Sequence, residues 1–216
     1  VYDAWGLTFG QFDDDEAVEV AVGTKQGWVA IFDGETEELQ WKIDMDNSDN
    51  TDSLCYSLIA ADLNGNEIDE LVVAQQSKLS VFIDGEMENT VEDTSISSGY
   101  GLASRNLFGN ANEELIVAAG NNGSVIYKQY DTENWIEIKI NNLIDVRSVS
   151  INSNNEIFIV SDNGGIWYFK QQNWIKIESL VSEDLNDIVF EGERGLISGS
   201  SGLILGSENN GETWEI

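Results

Sequence analysis

Hydrophobic and polar positions along this chain alternate in short runs, broken by clusters of Gly, Asn and Asp. A period of two puts successive side chains on opposite faces of a strand. No window carries the 3.6-residue apolar stripe of a helix, so essentially no helix is expected. The runs come in sets of four. One strand recurs as Val20-Ala21-Val22-Gly23, Leu71-Val72-Val73-Ala74, Leu115-Ile116-Val117-Ala118, Ile157-Phe158-Ile159-Val160 and Leu196-Ile197-Ser198-Gly199, at offsets of 51, 44, 42 and 39 residues. Before each copy lies a run such as Gly6 to Phe9, Tyr56 to Ile59, Tyr100 to Ala103, Val146 to Ile151 or Asp187 to Phe190. After it come a third run (Trp28 to Phe32 in the first set) and a fourth: Leu39 to Ile43, a weak one near Val91, Trp135 to Ile140, Trp174 to Ile177 and Thr213 to Ile216.

A self-similar unit of this size cannot bury its own apolar face and must stack on its neighbours. The expected fold is all-β: a five-bladed β-propeller of four-stranded antiparallel blades. It forms a single domain, 1–216, with blades near 1–45, 46–93, 94–141, 142–180 and 181–216. Closure then rests on packing between the first and last blades, unless the ring continues beyond this sequence. Residues 44–53 and 86–99 are the longest inter-blade loops, and long loops commonly carry function.

Charge changes the picture next. Forty acidic residues stand against 10 basic ones, a formal net of −30. Such a field repels nucleic acid and anionic membranes and attracts cations. A solvated acidic surface suited to strong salt, of halophilic or marine extracellular origin, is the plainer account. No apolar run approaches the roughly 18 residues of a membrane span, so direct membrane insertion is not expected. The lone Cys55 sits among apolar strand residues and reads as core. With no histidine, a Ser–His nucleophile pair and a His-ligated zinc are excluded. Proline is absent too, which leaves the turns to Gly, Asn and Asp.

Two kinds of blade are joined. Ala61-Asp62-Leu63-Asn64-Gly65-Asn66-Glu67-Ile68-Asp69-Glu70-Leu71-Val72-Val73 resembles the FG-GAP or VCBS repeat of integrin-type propellers. Phe9 to Glu19 is similar to it, and Asn106 to Glu114 is a fainter copy. The last blade instead resembles a BNR or Asp-box repeat: Ser207-Glu208-Asn209-Asn210-Gly211-Glu212-Thr213-Trp214 follows Ser-x-Asp-x-Gly-x-Thr-Trp, with Asn209 in place of the aspartate. In Asp-box families that hairpin is structural and peripheral. Trp135, Trp174 and Trp214, spaced 39 and 40 residues apart, accordingly read as packing anchors.

Calcium takes six to eight oxygens at about 2.3–2.6 Å, and alternate residues of a tight loop can supply them. In blade 2, Asp62, Asn64, Asn66, the carbonyl of Ile68 and Glu70 match the spacing that the resemblance implies for a Ca2+ loop. The departures are Glu67, where the family prefers glycine, and Glu rather than Asp at the last position. Blade 1 offers Asp13, Asp15, the carbonyl of Ala17 and Glu19, with Gln11 where a first aspartate is expected, so weaker binding is expected there. The competing account makes both loops solvated turns held by Asx-type hydrogen bonds. Arg105 and Arg147, 42 residues apart, close the first strands of blades 3 and 4. They either grip an anionic ligand or partner or are neutralised by Asp145, Asp187 or a neighbouring acid, the commoner fate. Asp145 and Asp187 are also the clearest first-strand acids for paired-carboxylate hydrolysis, a faint signal in so acidic a chain.

Together these features point to a non-enzymatic module for adhesion, recognition or scaffolding. It would lie outside the cell or on its surface, within a larger polypeptide or assembly, and meet a protein or glycan partner. A glycan-binding lectin or glycan-acting enzyme is the alternative the Asp-box blade raises, and a complex-assembly scaffold is a further one.

Overall fold

A computed structural model describes residues 3–45, 54–75, 78–83, 86–92, 99–105, 115–129, 136–140 and 144–216. Trp135, the blade-3 loop of Asn106 to Glu114 and most of 44–53 lie outside them. The described residues form antiparallel strands and no α-helix. The first sheet runs β1 (Ala4–Gly10), β2 (Glu19–Thr24), β3 (Trp28–Phe32), β4 (Leu39–Asp44) in that order. The second runs β5 (Ser57–Ala61), β6 (Glu70–Ala74), β7 (Lys78–Ile83), β8 (Glu86–Glu92). β8 therefore occupies the first half of what reads in sequence as the loop 86–99.

A third four-stranded sheet is built of β9 (Gly99–Arg105), β10 (Leu115–Gly120), β11 (Ser124–Gln129) and β12 (Ile136–Lys139). The fourth holds β13 (Val146–Ile151), β14 (Ile157–Ser161), β15 (Gly165–Lys170) and β16 (Asn173–Ile177). Its last hairpin turns on Gln171 and Gln172, with φ of 50° and 63°. A two-residue turn with both residues left-handed matches the twist of its flanking strands.

The fifth sheet has three strands, β17 (Leu185–Glu191), β18 (Arg194–Gly199) and β19 (Ile204–Ser207). The expected fourth strand, Thr213 to Ile216, reduces to a single bridge between Gly206 and Glu215. The reason is local. Asn209 accepts from the Thr213 N–H at 3.1 Å and donates to the Thr213 hydroxyl at 2.9 Å, while Ser207 Oγ accepts from the Gly211 N–H at 2.9 Å. These bonds hold 209–213 out of the ladder, and the chain rejoins β19 only at Glu215.

Two compact units emerge. The first contains sheets one and two, packed over a core of Phe12, Ala21, Ile31, Cys55, Leu58, Leu71, Val73 and Phe82. Cys55 is fully buried, which pushes its thiol up to about 12, so it behaves as a small apolar residue. The second unit contains sheets four and five and most of sheet three. There Phe158, Val160, Ile166, Leu185, Ile188, Ile197 and Leu205 form the core. Phe158 lies 5.4 Å from Tyr168 and 4.9 Å from Phe190 between ring centres, inside the range of favourable aromatic pairs.

Candidate functional site

The two acidic turns sit at equivalent places, in the β1–β2 and β5–β6 connections of neighbouring sheets. Each closes on a glutamate at the head of the second strand. Glu19 accepts the Phe12 N–H at 2.6 Å, and Glu70 accepts the Leu63 N–H at 2.6 Å, seven residues back in both cases. Both glutamates are buried. Beyond that shared clamp the turns diverge.

In the second turn every side-chain ligand already serves the loop. Asp62 accepts from the N–H groups of Gly65 (2.7 Å) and Glu67 (3.0 Å). Asn64 accepts from Asn66 N–H at 3.0 Å, and Asn66 from Ile68 N–H at 2.9 Å. The remaining Glu70 oxygen takes the Asn64 amide. This is a ladder of Asx turns. Glu67 stands at φ 70°, a left-handed conformation that is easiest without a side chain. Burial raises the Glu70 carboxyl to about 7, helped by repulsion from Asp62 and Asp69.

The first turn is organised differently. Asp13 and Asp15 accept from the N–H groups of Asp15 (2.9 Å) and Ala17 (2.6 Å). The Gln11 amide donates to the carbonyls of Asp13 and Asp15, and so ties the loop from inside. Carboxylate oxygens of Asp13, Asp15 and Glu19 lie within 4.8 Å of one another. Glu19 is 0% exposed, and its Oε1 has no hydrogen-bond partner among the described residues. Burial lifts its pKa above the ordinary carboxylate value, and Asp13 and Asp15 lift it further. A buried carboxylate beside two more is costly unless something positive shares the space. The donor set is all oxygen, as a hard cation such as calcium requires.

Asp69 is the residue that sequence reasoning missed. Its Oδ2 accepts the Gln11 N–H at 2.8 Å, and its own N–H donates to the Gln11 carbonyl at 2.6 Å. The first turn is thereby clipped to the second sheet. Gly10 makes the approach possible, since a Cβ there would come within 2.4 Å of Ala60 and 2.9 Å of Asp69. Burial raises the Asp69 pKa as well. The adjacent acids Asp69-Glu70 were the only sequence hint.

The second unit carries an analogous clip without charge. Asn152, fully buried, accepts from the N–H groups of Asn154 and Glu156 and donates to the Asn210 carbonyl at 2.9 Å. Sheet four is joined to the turn of residues 207–214 in this way. Within that turn Trp214 packs edge-on to Phe190 at 5.8 Å. Trp174 packs on Phe169 at 5.2 Å. Both serve as anchors.

Arg147 is neutralised from inside: its Nε donates to Asp162 at 2.7 Å and its Nη2 lies 3.4 Å from Asp184. Its pKa is raised chiefly by the Asp162 bond. Arg105 ends β9, and its side chain lies outside the described set. Asp187 accepts the Ser148 hydroxyl at 2.7 Å, and Asp145 lies 3.4 Å from the Asn122 N–H.

No family model matches the chain, and no curated protein matches it. Solved structures do. BBS1N, determined in complex with ARL6DN and soaked with lead, superposes with a TM-score of 0.76 at 6% identity, over 100% of this chain and 68% of that one. The Neurospora crassa Pan2 WD40 domain gives 0.71 at 10% identity, over 95% and 62%. The chain thus spans about two thirds of the length of these proteins. At such identities the likeness carries the fold alone, that of β-propeller blades.

Proposed function

We propose that this chain is a non-catalytic propeller module for protein interaction, braced by a calcium ion in the β1–β2 turn. The observation that carries the reading is Glu19, a fully buried carboxylate with one oxygen unpartnered beside Asp13 and Asp15. A cation there would neutralise three converging charges. It would also stiffen a loop whose Gln11 holds the second sheet through Asp69. Asp13, Asp15 and Glu19 would be its carboxylate ligands; with an ion present the Gln11 amide would no longer be needed to hold the loop.

The interaction role draws on the fold, since one of the similar structures was solved bound to another protein. The net charge of −30 and an exposed Asp15 suit a setting outside the cell. There, sites of about 10⁻⁴–10⁻³ M affinity fill with calcium. The FG-GAP-like spacing of both turns belongs to the same reading, as does adhesion at a cell surface.

Isothermal calorimetry on chelator-stripped protein tests it. Calcium should bind at one site per chain, with magnesium much weaker, and Asp13→Asn should weaken it at least tenfold. Absence of heat at millimolar calcium, together with an unchanged melting temperature, overturns the brace.

A further inference from the structure

The middle strand of a sheet covered on both faces is buried throughout; one covered on a single face is buried at alternate residues. β6 and β14 are buried at all five positions. β2 and β18 are not. In β2 the residues Glu19, Ala21 and Gly23 are buried, whereas Val20 and Val22 are partly open. In β18 Gly195 and Ile197 are buried between exposed Arg194 and Leu196.

Strand register gathers these open positions into faces. In the first sheet Phe9 stands opposite Val20, which stands opposite Phe32, and Leu7 stands opposite Val22. Leu7 and Phe9 are 58% and 62% exposed. In the last sheet Val189 stands opposite Leu196, and Ile204 stands opposite Ser198 on the same face. These three are 54–55% exposed. Single exposed apolar residues are ordinary, but contiguous ones mark an interaction surface.

We infer that each of these two faces is the docking surface of one further antiparallel β-sheet, a blade of the same propeller supplied by polypeptide continuous with this chain. The interior packing sets the precedent. Sheet four takes sheet five on one face, where Phe158 meets Phe190 and Ser150 accepts the Phe190 N–H at 3.2 Å. On its other face β9 approaches so closely that a Cβ on Gly101 would lie 3.2 Å from Val149 Cγ1. Sheet five repeats the second of these arrangements, with Ile188 and Ile197 standing where sheet four has Val149 and Ile159, and leaves the position of the first open, lined with Val189, Leu196 and Ile204. The similar solved structures run about half as long again as this chain, so the fold has room for more sheets. A second copy is the poorer occupant, because it brings another net charge of −30 to the contact.

The test appends a second copy of residues 142–216 after Ile216, offering the Val149 face of sheet four to Leu196. A monomer by sedimentation that melts several degrees higher and loses hydrophobic-dye binding is the expected result. Leu196→Glu should leave the melting temperature of the 216-residue chain nearly unchanged and abolish the gain in the extended one. An extension that brings no gain overturns the inference. Two outcomes on the unextended chain overturn it independently of whether the extension folds. In the first, Leu196→Glu costs as much as Ile197→Ala, which means the face is already covered. In the second, the chain sediments as a dimer that Leu196→Glu dissolves, which assigns the face to a second copy.

Discussion

Replacing Glu19 by glutamine separates the two things that residue does. In cation-free protein the carboxylate sits within 4.8 Å of Asp13 and Asp15 oxygens. Each such pair repels by about 1 kcal/mol in water-like surroundings and roughly 3 at an effective dielectric near 20. Glutamine removes that repulsion and still accepts the Phe12 N–H, though a neutral acceptor gives up about 1 kcal/mol relative to a charged one. The variant is therefore expected to equal or exceed the wild type in chelator, by about 0–2 kcal/mol. That is up to about 8 °C for a domain of this size. In calcium the order reverses. An ion at a hundredfold excess over its dissociation constant contributes about 2.7 kcal/mol to the wild type, roughly 5–10 °C, and little to the variant. Scanning calorimetry in chelator, in calcium and in magnesium reads all three cases. A Glu19→Gln protein that melts lower in chelator and keeps its full calcium response would refute the assignment of the buried oxygen.

The Glu70 carboxyl, held near 7 against an ordinary value of 4.5, stays protonated in the folded chain where the unfolded chain has ionised. Stability in chelator should consequently fall as pH rises through that window, by about 1.4 kcal/mol per pH unit; Glu70→Gln should flatten the trend in urea midpoints between pH 5 and pH 8. Phe158→Ala empties the centre of the second core and should cost about 3–5 kcal/mol, seen as a drop in denaturation midpoint with an unchanged slope. Asn152→Ala leaves the Asn210 carbonyl and two turn N–H groups without their partner, for a loss of about 2–4 kcal/mol. Faster hydrogen exchange in the turn of residues 207–214 should accompany it, while β2 and β6 stay protected.

Much of this architecture is local, which is why the residue pattern alone determined it. A hairpin strand pairs with its sequence neighbour, so alternation and turn residues suffice to place β1 to β3, or β13, β14 and β16, within a residue or two. The repeat then forces sheets to stack, and Cys55 falls into the core because its neighbours do. What the tertiary structure decided lies wherever residues from different sheets meet. Glu19 and Glu70 occupy the same place in two similar turns, and residue type already separates them, since Asn64 can donate to Glu70 whereas Asp13, at the matching position, cannot donate to Glu19; that both carboxylates are buried was decided by packing. Asp69 and Gln11 are 58 residues apart, as are Asn152 and Asn210. No periodicity links either pair, because their contact depends on which sheet faces settle together. The same holds for Arg147, whose partners Asp162 and Asp184 come from two other turns, and for the open faces of β2 and β18. Their apolar residues look identical in sequence to buried ones, since hydrophobicity specifies that a face wants a cover and only the packed fold shows whether it has one.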